Sequence, residues 1–294
     1  MSILRIRHRT WYEYRSPVQL GEHRLMTRPR DSHDLRLLDA ALTIDPKPSE
    51  VRWIHDVFGN SIAIVNFEAS IRTRGLSVTS DFRAEHFPAS PEAILVDSYA
   101  CRLPFRYLGT DVDDLGRTRE LHYPDPERRI EAWTRSLLQR LPEAETLEAL
   151  NALTLAIKRD FRYEVRQAAG VQSPIETLER RSGSCRDFAL LMMEAVRSLG
   201  LAARFVSGYL YDDARVRTGV GLVGGGSTHA WVQVYLPGAG WVEYDPTNAL
   251  VGGRNLIRVA VARDPSQAIP LAGQFTGAPD AHLAMTVEVE ITTS

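Results

Sequence analysis

Three things are scarce in this sequence: cysteine, lysine and long apolar runs. Its 294 residues include two cysteines, Cys101 and Cys185, which are too few for a disulfide framework and fit a reduced, intracellular chain. Only Lys47 and Lys158 are lysines, so arginine carries nearly all the positive charge. With 35 basic residues against 37 acidic ones, a formal charge of -2 and a pI near 6.5, the basic excess that nucleic acid demands is missing. No apolar stretch approaches the roughly 18–20 residues that span a bilayer. Residues 1–9 are charged at every second position and have no apolar core of a secretion signal. The expectation is a soluble, cytoplasmic protein with neither nucleic acid nor membrane as partner. The oligomeric state is not legible. What is present, 44% hydrophobic and 24% charged residues, excludes disorder, collagen and coiled coil. At roughly 150 residues per domain it points to two domains.

The chain changes character along its length. Ile3–His8, Thr10–Tyr14, Leu37–Ile44, Val51–Val57, Ser61–Phe67 and Ile71–Phe82 read as short strands closed by Pro, Gly, Asn or Asp, with Gly59-Asn60 as a hairpin turn. They suggest an antiparallel sandwich or barrel over residues 1–105. Prolines and an acidic run, Asp111 to Asp114, mark 106–125 as a linker. Helical periodicity then appears from Arg128 to Leu141, from Leu147 to about Phe161 with Thr146 as its cap, and from Cys185 to Leu199, ended by Gly200. Strands return at Ala203–Tyr211, His229–Leu236, Trp241–Asp245, Ile257–Arg263 and Met285–Ile291. The reading is α+β: a β-rich N-terminal domain, then an α+β unit over 126–294 that includes the C-terminal strands.

The chemistry concentrates in Ser182-Gly183-Ser184-Cys185-Arg186-Asp187-Phe188-Ala189. Cys185 opens a strongly amphipathic helix, where unpaired N–H groups and the positive end of the helix dipole stabilise a thiolate. Ser184 fits the N-cap, and the same N–H groups suit the oxyanion of a tetrahedral intermediate. A base is needed. His229 starts a strand, and Asp245 ends the next one after the turn Pro237-Gly238-Ala239-Gly240. An odd loop sets Asp245 across from about Trp231, on His229's face, whereas an even loop sets the two side chains on opposite faces. The odd loop is expected, with Asp245 holding the imidazole and the other ring nitrogen meeting Cys185.

Gly183-Ser184-Cys185-Arg186-Asp187-Phe188-Ala189, His229-Ala230-Trp231 and Asp245-Pro246-Thr247-Asn248, in that order, resemble the transglutaminase-like superfamily core. Residues 1 to about 100 resemble the β-rich N-terminal domain of bacterial transglutaminase-like proteins. Arg263-Asp264-Pro265 and Gly273-Gln274-Phe275-Thr276-Gly277 resemble their C-terminal segment. The resemblance implies a papain-like core whose cysteine, at a helix N-terminus, packs on an antiparallel sheet. It also implies a triad of Cys185, His229 and Asp245 attacking the amide carbonyls of a peptide or protein through a thioester, without cofactor. Protease or amidase chemistry is favoured over protein cross-linking. Tyr163 is the candidate for a further oxyanion donor.

Other residues carry plainer readings. Cys101 has no base nearby in sequence, and Asp187 in the first helical turn suits dipole and packing better than catalysis. Trp231 and Asp187 are candidates for the cleft wall. The remaining histidines lack metal-ligand spacing, so no metal is expected. Gly219-Val220-Gly221-Leu222-Val223-Gly224 matches a dinucleotide fingerprint by letter but leads into a strand, which that fingerprint never does. It reads instead as a mobile flap before His229. The competing function is a non-catalytic peptide- or protein-binding module on the same scaffold.

Overall fold

Alternating patterns do build strands over the first 86 positions, but fewer and longer ones than the punctuation suggests. A computed structural model describes residues 2–88, 90–139, 141, 145–166, 170–212, 222–223 and 226–293. β1 (Ser2–Arg28) runs unbroken through both of the first expected strands and beyond them. β2 (Leu35–Asp45), β3 (Glu50–His55), β4 (Ser61–Asn66) and β5 (Thr73–His86) follow close to their expected places. The first half of β1 lies antiparallel to β5. Pro17 has no N–H to give a ladder, the register with β5 slips between Glu13 and Val18, and from His23 onward β1 pairs with β4 instead. One strand therefore serves both halves of a curled antiparallel sheet, ordered β2-β5-β1-β4-β3. Tyr14, Val18, Leu25, Val65 and Leu76 form one buried cluster on it.

The expected linker holds a short helix, α1 (Asp111–Leu115). After it come α2 (Arg129–Leu138), α3 (Thr146–Asp160), β6 (Arg162–Tyr163), α4 (Pro174–Arg180), β7 (Ser182–Gly183) and α5 (Cys185–Ser198). β8 (Ala203–Leu210), β9 (Thr228–Leu236), β10 (Gly240–Asp245), β11 (Leu250–Val251) and β12 (Leu256–Ala262) form a second sheet, ordered β11-β10-β9-β8-β12. α5 lies on this sheet, with Ala189, Met192 and Val196 in one cluster with Phe205, Val232 and Val234. Burial of each larger side chain stabilises by about 1.5–3 kcal/mol.

Three of the buried residues of α5 are charged: Asp187 at its start, and Glu194 and Arg197 further along. Arg197 donates to Glu194 at 2.8 Å and to the carbonyls of Thr118, Ala203 and Arg263, while Glu194 accepts from the amides of His122 and Tyr123. This clamp fastens the crossing segment and the end of β12 to α5. A buried pair holds only when its remaining polar atoms are satisfied, as here.

Three expectations change. Thr146 does not cap α3; it is the first helical residue, and its hydroxyl donates to the Ala100 carbonyl at 2.6 Å. α4 was not foreseen, although Ser173-Pro174 before Glu176 spells an N-cap followed by proline at the first helical position, and Ser173 does accept from the Glu176 amide. The last two strands, β13 (Leu271–Thr276) and β14 (His282–Thr293), pair with β1 rather than joining the second sheet. Their partner, 27 residues long, offers more edge than β4 and β5 cover.

Candidate active site

Cys185 is the first residue of α5, and the approach to it is shaped by close packing. A side chain at Gly183, the last residue of β7, would bring a Cβ to 2.9 Å from the Asp187 Cβ and 3.0 Å from the Gln172 side-chain Nε2, so only glycine fits against the helix start. Asp187, fully buried, accepts from the Ser184 amide and hydroxyl at 2.8 Å each and from the Gln172 amide at 2.7 Å. Arg166 Nε lies 3.1 Å from the same carboxylate. The helix start and the segment before α4 are thereby tied to one carboxylate. Cys185 is left 8% exposed, and its amide has no acceptor among the described residues.

His229 comes from the other side. β9 and β10 pair Gly240 with Leu236 through to Tyr244 with Val232, so Pro237-Gly238-Ala239 is a three-residue connection, the odd loop that parity requires. One further step in that register sets Asp245 against Trp231. His229 Nε2 and Asp245 Oδ2 are 2.8 Å apart, both side chains fully buried. The imidazole stacks on the Trp231 indole, with centroids 6.0 Å apart and planes 27° off parallel. Nδ1 is buried and makes no regular hydrogen bond.

The electrostatics favour charge at both residues. Burial opposes an imidazolium at His229, but the charge and hydrogen bond of Asp245, followed by contact with Cys185, raise its pKa overall. Burial likewise opposes ionisation of Asp245, yet the His229 charge and hydrogen bonds from His229, Asn248 and the Thr247 amide hold it below the usual carboxylate range. With Nε2 taken by Asp245, Nδ1 is the nitrogen left for the sulfur. Such contacts are often loose before substrate binds.

Residues 4–85 match the bacterial transglutaminase-like N-terminal region, and residues 132–246 match the transglutaminase-like superfamily; the second span holds Cys185, His229 and Asp245. The chain belongs to the transglutaminase-like superfamily. An uncharacterized protein of Mycobacterium tuberculosis is 29% identical over 294 residues, covering 97% of this chain and 91% of its own. One of Mycobacterium leprae is 27% identical, covering 97% and 98%. A protein-glutamine gamma-glutamyltransferase of Pseudomonas aeruginosa is 36% identical over 69 residues, 24% of this chain and 10% of that protein. Among solved structures, a candidate cysteine protease from Cytophaga hutchinsonii superposes with a TM-score of 0.70 at 19% identity, covering 99% of this chain and 90% of that one, and so shares its fold.

The remaining candidates of this transglutaminase-like chain divide. Tyr163 pairs with Gly183 in the β6–β7 ladder and packs edge-on to Phe188, with ring centroids 6.4 Å apart. Burial first, then the neighbouring charge of Cys185, pushes its phenol up to about 12, so it keeps its proton beside the sulfur. Trp231 and Asp187, expected at the cleft wall, are both fully buried, Trp231 against the imidazole and Asp187 at the start of the cysteine helix. Cys101 donates to the carbonyls of Val96 and Asp97 and has no imidazole partner among the described residues. Of the glycine-rich flap, Gly219, Val220, Gly221 and Gly224 lie outside the described residues. No group of three or more His, Cys, Asp or Glu suited to a metal occurs among the described residues, nor any helix long and apolar enough to cross a membrane.

Asn248 was missed. Its amide donates to Asp245 Oδ2 at 2.9 Å and to the Val223 carbonyl at 3.0 Å, while its oxygen accepts from the Val223 amide at 2.9 Å. It couples the carboxylate to Val223, which lies before β9 in the chain. The signal was the turn Asp245-Pro246-Thr247-Asn248 itself, where Asp245 also accepts from the Thr247 amide at 2.8 Å.

Proposed function

We propose that this chain is a cysteine-dependent enzyme that cleaves amide bonds of a peptide or protein through a thioester, with Cys185 as nucleophile, His229 as acid and base, and Asp245 as its orienting carboxylate. The observation that carries this is a buried imidazole held by Asp245 through Nε2, with Nδ1 left open beside a cysteine at a helix N-terminus. The Cys185 sulfur bonds to the carbonyl carbon, and the C=O π electrons move onto oxygen. The free Cys185 amide and the Tyr163 hydroxyl are suited to receive that oxyanion. As the tetrahedral intermediate collapses, the C–N bond breaks and imidazolium Nδ1 gives its proton to the departing amine. Water, deprotonated by Nδ1, then attacks the thioester, and the thiolate leaves with the imidazolium restored beside it.

The test is incubation of wild type and Cys185→Ala with a peptide library, with and without an added primary amine, read by mass spectrometry. Free acids that form only with wild type, at a rate the amine leaves unchanged, support hydrolysis. Amine-linked products in place of acids assign the acceptor to an amine, keeping the nucleophile and changing the second half-reaction. Equal products from both proteins overturn the enzymatic reading and favour the binding module.

A further inference from the structure

Where the curled sheet meets the end of the β9–β10 ribbon lies a cavity of about 640 Å³, within the range of small-molecule sites. Its apolar wall includes Phe58, Ile94 and Trp241. Glu243, on its floor, is committed: it accepts from Trp231, from Gln233 at 2.6 Å and from Arg258 at 3.0 Å. Arg258 also grips Asp34 at 3.1 Å. Arg204 is different. Its Nε donates to Gln233 Oε1 at 2.6 Å and its guanidinium lies over the Trp241 ring, 4.1 Å from the centroid, yet it has no carboxylate within ion-pair distance among the described residues. A half-buried guanidinium parked on an indole and lining a cavity is an anion receptor without its anion. Burial pushes its pKa down to about 9, with Glu243 only partly offsetting this. Arg30, exposed at the rim, adds a second cation without a carboxylate partner among the described residues, while the nearby Asp31 is turned to the Leu37 amide.

We propose that this cavity binds a small organic carboxylate, its head group on the Nη atoms of Arg204 and its apolar body against Trp241 and Phe58. The inference is independent of the chemistry assigned to Cys185, because Gln233 and Glu243 lie nearer the connection between β9 and β10 than His229 and Asp245 do.

The test uses the full chain carrying Cys185→Ala, so that turnover cannot interfere, with 3-phenylpropionate as probe and its neutral amide as control, measured by calorimetry and ligand-observed NMR. The acid should saturate with a Kd of about 1 mM or tighter, and the amide should bind at least about tenfold more weakly. Arg204→Gln should weaken the acid at least about tenfold and leave the amide unchanged. If Arg204→Gln does not fold, Arg30→Gln decides: being exposed it spares the fold, and it should weaken the acid severalfold. Equal binding of acid and amide, indifference to the substitution read, or no saturation by about 10 mM overturns the proposal. Inorganic phosphate that binds as tightly as the acid overturns the carboxylate assignment.

Discussion

His229 has two ring nitrogens, and the structure gives them different neighbours. Nε2 spends its hydrogen bond on Asp245, and Nδ1 is buried without a hydrogen-bond partner among the described residues. If that division is functional, replacing Asp245 with Asn should leave the fold intact and lower kcat by on the order of a thousandfold or more, because the amide no longer favours the correct tautomer or stabilises the imidazolium. Steady-state kinetics with a library-derived substrate checks this, with circular dichroism to confirm folding.

The same pair makes stability depend on pH in a definite direction. His229 is raised in the folded state, so its contribution is complete below the ordinary histidine value of 6.5 and fades as pH climbs toward the raised one. Asp245 is lowered, so its contribution is complete above 3.8 and fades as pH falls toward the lowered one. The Tm advantage of wild type over Asp245→Asn should therefore be largest between about pH 4 and 6.5 and shrink on either side. A flat difference from pH 4 to 9 would mean that the two residues are not an ion pair.

At the scale of elements, the ribbon that carries His229 and Asp245 depends on a glycine beside it. Gly208 on β8 lies opposite His229, and a Cβ there would stand 2.2 Å from the Ile257 carbonyl and 2.6 Å from the Trp231 ring. Backbone cannot yield as a flexible side chain does. Gly208→Ala should cost about 1–3 kcal/mol through overpacking and, by moving Trp231 under the imidazole, lower activity as well. Chemical denaturation and turnover measured together check both effects.

The ribbon was also where sequence reasoning worked best. Side-chain alternation has a period of two, so the chain length between Leu236 and Gly240 sufficed to put His229 and Asp245 on one face. The cysteine helix was legible for a similar reason, its apolar period being clean. Asn248 and the Glu194–Arg197 clamp were not legible, because a polar residue carries no periodic signal when its partners come from distant segments. Asp187 and Trp231 are fully buried, which the sequence did not reveal, because residue type alone does not tell an exposed surface from a packed interior.

Across the whole molecule, the two expected domains share cores. Met26, Ile62 and Ile64 of the curled sheet lie in one cluster with α5, and Leu4, Ile6 and Phe82 pack against Tyr209 and Ile257 of the second sheet. The C-terminal strands close this arrangement by returning to β1, which local patterning could not foretell, since it shows that a segment is a strand but not which edge receives it. The cysteine at the tip of α5 and the imidazole on β9 thus reach one another through a framework gathered from the full length of the chain.

The claim that they act as one unit is tested most directly by the rate at which iodoacetamide alkylates each cysteine at mildly acidic pH, in wild type and in His229→Gln. Cys185 should react well ahead of Cys101 in wild type and lose that lead in the variant, because the imidazole is the base assigned to its sulfur. Equal rates for the two cysteines in wild type, or a lead for Cys185 that survives removal of His229, would contradict it.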